Sequence, residues 1–240
     1  MNASTISRLL DLNREFYRTF ALQFSATRQR LQPGAQQILA SLDSAANVLD
    51  LGCGNGEFGR ELASRAHQGY YVGLDLSADL LDEARKDLPS AAPVTYLKRD
   101  LASPDWDKDL PLATFDVILA FAVLHHLPGA ELRRQVLRRA GARLSPKGHF
   151  IHSAWQFLRS QRLRARLQPW EAIGLSEADV DPGDYLLDWR HGGLGLRYVH
   201  MFTLEELADL ARESGFTIGK TFTSDGEGGQ LSLYQVWMIV

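Results

Sequence analysis

The chain has 240 residues, 45% of them apolar and 23% charged, and a formal net charge of −3. That length suits one sizeable α/β domain rather than two large ones, and no stretch approaches the roughly 18 to 20 apolar residues of a membrane span. Cys53 is the only cysteine, which excludes an intrachain disulfide or a cysteine metal cluster; Met1-Asn2-Ala3-Ser4-Thr5 lacks the basic and apolar regions of an export signal, so a cytoplasmic protein is expected.

Leu9, Leu12, Phe16, Phe20 and Phe24 recur at three- to four-residue intervals, so the chain is expected to begin with a helical lid. Phe24-Ser25-Ala26-Thr27-Arg28 interrupts that pattern, and Pro33-Gly34 opens a second helix running toward Leu42. Strands follow at 47–51, 70–75 and 93–98, separated by helices at 57–67 and 78–87, the second capped by Ser77. Phe115-Asp116-Val117-Ile118-Leu119-Ala120-Phe121 is nearly continuous apolar sequence, as in a strand covered on both faces. A fifth strand spans Gly148 to Ala154 after the turn at Ser145-Pro146-Lys147. This alternation predicts a doubly wound parallel sheet. The last two strands, 216–223 and 230–240, are joined by Ser224-Asp225-Gly226-Glu227-Gly228-Gly229 and predict an antiparallel hairpin completing the sheet edge. Residues 155–200 begin with a basic helix and fit no strand-helix repeat; an insertion of that length is usually functional.

The first strand runs into Val48-Leu49-Asp50-Leu51-Gly52-Cys53-Gly54-Asn55-Gly56. Glycines at alternate positions let the backbone turn sharply and approach a ligand, and the helix starting near Glu57 points its amide donors at that gap. Asp75 closes the next strand, about 20 residues on, where an acidic side chain meets a ribose hydroxyl in nucleotide-cofactor folds. Gly54-Asn55-Gly56-Glu57-Phe58-Gly59 also fits the dinucleotide pattern, so a nicotinamide dehydrogenase has to be weighed. Asp50 before the first glycine, the lack of a second catalytic domain and the terminal hairpin argue against it.

Val48 to Gly56, Asp75, Arg99-Asp100-Leu101, Phe115-Asp116-Val117-Ile118 and Leu144-Ser145-Pro146-Lys147-Gly148 resemble the successive motifs of the class I S-adenosylmethionine-dependent methyltransferases. The resemblance implies a Rossmann-like α/β fold. Its seven-stranded, mostly parallel sheet would end in an antiparallel hairpin, with helices on both faces and an N-terminal helical lid. One domain would span 1–240, with the lid at 1–44, a cofactor-binding core at 45–154, an inserted substrate-recognition segment at 155–202 and a terminal helix and hairpin at 203–240. It further implies that Asp50, Gly52, Cys53, Gly54 and Gly56 hold the methionine end of S-adenosylmethionine and that Asp75 binds the ribose hydroxyls. Asp100 would accept from the adenine amino group, Leu101 would offer its backbone amide, and Leu76 and Phe121 would line the same pocket.

Outside that core, Phe24-Ser25-Ala26-Thr27-Arg28, Ala122-Val123-Leu124-His125-His126-Leu127, Ser153-Ala154-Trp155-Gln156 and Arg197-Tyr198-Val199-His200-Met201-Phe202 resemble segments of the tRNA wobble-uridine carboxymethyl O-methyltransferases. That resemblance implies methylation of a carboxylate on a modified wobble uridine, a tRNA partner, and a small zinc-binding activator subunit of the kind eukaryotic members use. A carboxylate is ionised at neutral pH, so the site needs no general base; it must align the reacting atoms and supply a counter-charge. Arg28 would form the bidentate pair and His125 or His126 a further hydrogen bond, making these three the catalytic candidates. Adjacent side chains on an extended strand point to opposite faces, so one histidine is expected at the cleft, with His126 favoured. Arg28, Trp155, Gln156, Arg197, Tyr198 and His200 are the expected substrate contacts, and no resident metal is expected.

Between Arg133 and Arg166 lie ten of the 26 basic residues and no Asp or Glu, leaving 16 basic against 29 acidic residues elsewhere. Such polarity would steer an anionic partner to one face. It fits RNA phosphates, and equally a solvated arginine surface beside a pocket for a small organic acid or metabolite that is O- or N-methylated. A non-catalytic, cofactor-binding adaptor is the third reading.

Overall fold

The computed structural model describes residues 1–27, 29–86, 88 and 92–240, so the expectations attached to Arg28 lie outside the described residues. The chain opens with α1 (Ala3–Ala26), capped by the Asn2 side chain, and α2 (Pro33–Ser41). Phe20 has non-helical dihedrals and kinks α1. The core alternates as β1 (Val48–Leu51), α3 (Glu57–Ser64), β2 (Tyr71–Asp75), α4 (Ala78–Arg85), β3 (Val94–Lys98), β4 (Phe115–Phe121), α5 (Ala130–Ala142) and β5 (Leu144–Trp155).

The main sheet has seven strands in the order β3-β2-β1-β4-β5-β10-β9, with β9 at Phe216–Ser224 and β10 at Ser232–Ile239. The first five run parallel; β10 is antiparallel to both β5 and β9. The terminal hairpin therefore sets its second strand against the core and leaves β9 at the edge. Leu49, Val72 and Ile118 pack toward α5 and α7 (Leu204–Glu213), while Val48, Tyr71 and Leu119 pack toward α2, α3 and α4. Strand order reverses between β1 and β4, and in open α/β sheets ligands occupy the crevice beyond the strand ends at that reversal.

The insertion begins with a 3-10 turn, Phe157–Arg159, and the four-residue helix α6 (Gln161–Arg164), then folds into a small antiparallel sheet of β6 (Leu167–Gln168), β7 (Asp184–Trp189) and β8 (Gly195–His200), with two further 3-10 turns between β6 and β7. The segment that fits no strand-helix repeat thus carries a small sheet of its own. Leu186 and Tyr198 pack against Leu9 and Trp170 on one face, and Leu187 and Val199 against Phe157 and Leu163 on the other. With both faces covered, the polar alternation that marks a half-buried strand is lost.

Candidate active site

A cavity of about 670 Å³ opens at the β1–β4 reversal, between the glycine loop, the end of β4, α1 and the inserted sheet. After β1 the chain turns through Gly52, Gly54 and Gly56, all with positive φ. A Cβ at Gly52 would stand 2.5 Å from Val123 Cγ2, whereas one at Gly54 would meet nothing within 4 Å. The loop is thus closed against the protein at Gly52 and open toward the cavity at Gly54. Gly56 is the N-cap of α3 and does not line the cavity; a Cβ there would press on Ala84 and Tyr96.

The three expected carboxylates line this half, with Glu57 beside the glycine loop. Asp50 is buried and accepts from the Tyr71 hydroxyl at 2.6 Å; burial pushes its pKa up to about 7 against the lowering effect of that hydrogen bond. Asp75 accepts from the Gly54 amide at 2.9 Å and the Ser77 amide at 2.8 Å. Burial raises its pKa and those backbone amides oppose the rise. Asp100 takes the Ala102 amide on one oxygen and Arg14 of α1 on the other, with Arg14 Nη2 at 2.6 Å. Leu76, Leu101, Cys53 and Phe121 complete this wall, so of the ten expected cofactor residues Gly56 alone stands behind it. Burial raises the Cys53 thiol well above its ordinary pKa. The thiol therefore stays protonated, as a packing residue would.

His125 and His126 lie on a 3-10 turn, Leu124–His126, rather than on an extended strand. Their rings are 4.4 Å apart and both line the cavity, which corrects the expectation that one of them faces away. His126 Nδ1 lies 3.2 Å from the Tyr198 carbonyl and donates to it, and Nε2 lies 2.9 Å from the Tyr17 hydroxyl. Across the cavity Arg197 is buried, with its guanidinium carbon 5.0 Å from the Trp155 ring centroid, 5.3 Å from Phe16 and 5.7 Å from Trp189. Arg197 and Trp155 both line the cavity.

Three expected substrate contacts sit elsewhere. Tyr198 is fully buried: its hydroxyl donates to Asp184 at 2.7 Å and accepts from Arg133 at 2.9 Å. His200 bridges Asp184 and Glu206, both at 2.7 Å. Gln156 is buried, and its side chain reaches the Phe202 carbonyl. None of the three lines the cavity, and together they bind the inserted sheet to the core. Conversely, Asn13, Arg14 and Tyr17 line it from one face of α1 without having been singled out. Asn13 is buried on the apolar face of α1 and pairs with both backbone groups of Tyr198.

A family model described as methyltransferase domain matches residues 49–150. Encephalitozoon cuniculi ECU09_1500, provisionally named a methyltransferase, is 30% identical over 207 residues, 85% of this chain and 86% of that one. The chain belongs to the S-adenosylmethionine-dependent methyltransferases.

Two further relatives bear on this methyltransferase. The trans-aconitate 2-methyltransferase of Azoarcus sp. is 40% identical over 49% of this chain and 43% of its own. The mouse tRNA (carboxymethyluridine(34)-5-O)-methyltransferase ALKBH8 is 28% identical over 59% of this chain and 19% of its own. Among solved structures, the magnesium protoporphyrin IX methyltransferase of Synechocystis superposes with a TM-score of 0.68 over 96% of this chain and 99% of that one, at 17% identity; its structure holds S-adenosylhomocysteine. At that identity the likeness is one of fold.

The residues fit S-adenosylmethionine. The methyltransferase leaves space over Gly54, sets a carboxylate at Asp50 where the ammonium of a methionine end would need one, and keeps acceptor capacity on Asp75 at the end of β2 for ribose hydroxyls. Held there, the cofactor supplies an electrophilic sulfonium methyl.

Proposed function

We propose that this methyltransferase transfers the methyl group to a carboxylate oxygen, and that the carboxylate is the carboxymethyl group of a wobble uridine in tRNA. The observation that carries the reading is Arg197, a guanidinium fixed by three aromatic rings on the wall of the same cavity as the histidine pair. A guanidinium held in place presents donors that match a carboxylate without an ordering cost on binding. Arg28, by resemblance, adds the bidentate contact. No proton has to leave the acceptor, which agrees with a His126 whose two nitrogens are already engaged by Tyr17 and the Tyr198 carbonyl. The two relatives whose names give an acceptor act on compounds that bear a carboxylate, carboxymethyluridine and aconitate.

A small polycarboxylate acid is the second reading, favoured by the 40% identity to the trans-aconitate enzyme. The test is methyl transfer from labelled cofactor to tRNA bearing carboxymethyluridine, tRNA lacking it, and trans-aconitate. Transfer confined to the first supports the wobble-uridine acceptor; transfer to trans-aconitate alone moves the assignment to the small acid. Labelling of neither carboxylate substrate by cofactor-loaded enzyme overturns the reading.

A further inference from the structure

The basic stretch from Arg133 to Arg166 is divided by the tertiary structure into two unlike halves. In the first, Arg133 pairs with Glu206, Arg134 with Glu131 and Glu213, Arg138 with Glu131, and Arg139 and Arg143 with Asp107. In the second, Arg159, Arg162, Arg164 and Arg166 form no ion pair among the described residues. Arg159 reaches only the neutral Gln230 side chain, and Arg164 only the Leu158 carbonyl. Three of these four are exposed and Arg166 is half-buried.

Their segment is fixed to the body. Ser160 caps α6, and Leu163 is buried with Phe157, Leu187 and Val199, so the arginines are presented from an anchored turn. Four like charges within eight residues repel one another, and no carboxylate among the described residues pairs with any of them. Arg162 and Arg166 line the cavity wall together with exposed Arg30; Arg159 and Arg164 lie beyond it.

We infer that Arg159, Arg162, Arg164 and Arg166 form a track for the phosphodiester backbone of a single-stranded RNA segment, which delivers one nucleotide into the cavity while its flanking phosphates lie on the strip. A small acid inside the cavity would meet Arg162 and Arg166 and leave Arg159 and Arg164 without a role; a polyanionic chain engages all four. Single-stranded loops are engaged in this way, by backbone cations beside a pocket that takes the base. The inference rests on an RNA-borne acceptor, and its test is a binding measurement that requires no methyl transfer.

The probe is an unmodified anticodon stem-loop RNA with plain uridine at the wobble position, titrated by fluorescence anisotropy over a series of salt concentrations. Wild-type protein is expected to bind with an affinity that falls steeply with salt. The double variant Arg159→Ala/Arg164→Ala, which leaves the cavity wall intact, is expected to bind about tenfold more weakly at low salt. Its log-log slope should be shallower by about one to two, at roughly 0.7 for each phosphate that the variant no longer neutralises. Arg159→Lys/Arg164→Lys is expected to recover most of the binding; thermal unfolding and cofactor titration confirm that both variants fold. Salt-independent or absent binding by the wild type, or an unchanged slope in the alanine variant, overturns the track. Strip-dependent binding without transfer to carboxymethyl tRNA leaves the track standing and removes the acceptor assignment alone.

Discussion

Arg14 of α1 sets Nη2 2.6 Å from Oδ2 of Asp100, the carboxylate expected at the adenine end of the cofactor. The pair ties the N-terminal helix to the wall of the cavity at the residue that follows β3 and its linker. Both side chains are about one-third exposed, at 38% and 29%, so the pair acts as a weak clasp rather than a structural anchor. Replacing Arg14 by Ala is expected to raise the cofactor dissociation constant about twofold to fivefold, equivalent to about 1 kcal/mol or less. Stopped-flow release should be faster in the variant. An unchanged release rate would mean that α1 does not close that end.

Asp50 holds its proton in the folded chain up to about pH 7, while an unfolded carboxyl loses it near about 3.9. Between those values the folded state binds the extra proton, so the stability of the ligand-free protein falls as pH rises through the window and levels off above it. Asp50→Asn removes the titration and keeps an acceptor for the Tyr71 hydroxyl. The thermal midpoint of wild type minus that of the variant should decline from about pH 5 to about pH 8. A difference that rises over this range would contradict the raised pKa.

Tyr17→Phe separates ionised from neutral acceptors. With a carboxylate, loss of the Tyr17–His126 hydrogen bond disturbs alignment only, and kcat should fall by about tenfold or less with an unchanged pH profile. A loss of about a hundredfold or more would instead assign the pair to proton removal from a neutral acceptor.

Gly52→Ala and Gly54→Ala should part company on stability. Both positions have positive φ, but the new methyl at Gly52 strikes Val123, whereas at Gly54 it projects into open space. Gly52→Ala is expected to cost about 2 to 4 kcal/mol, from backbone strain plus overpacking, and Gly54→Ala about 1 to 2. Chemical denaturation measures this, and both variants should weaken cofactor binding.

Arg133 and Arg138 test the division of the basic segment. Arg133 is buried and gives hydrogen bonds to the Leu127 carbonyl, Glu206 and Tyr198, so Arg133→Ala leaves Asp184 and Glu206 short of a counter-charge and should cost about 3 to 5 kcal/mol. Arg138 is exposed, and Arg138→Ala should stay within about 0.5 kcal/mol. Equal unfolding midpoints for the two variants would remove the structural role of Arg133.

The cofactor half was legible because it is local. Asp50, the glycine loop and Asp75 belong to one βαβ unit, where a strand period of two, a few positive-φ glycines and a carboxylate at a strand end suffice to locate a ligand. The core strands were found within a few residues for the same reason. The inserted sheet was not, since burial of both faces left β7 and β8 without the alternation that marks a half-buried strand.

By itself the sequence determined the fold class, the cofactor and the reaction class of this methyltransferase, carried by a succession of motifs each of which is contiguous along the chain. Tertiary structure decided which side chains line the cavity and which arginines lack a carboxylate partner among the described residues. Tyr198 and Arg197 are neighbours on β8, yet one is sealed into a network with Asp184 and Arg133 and the other lines the cavity. Arg133 and Arg162 look alike in a basic run, yet one is matched by Glu206 and the other by no carboxylate among the described residues. Those differences depend on partners dozens of residues away, because the free energy of a charge is set by what surrounds it in space rather than in sequence.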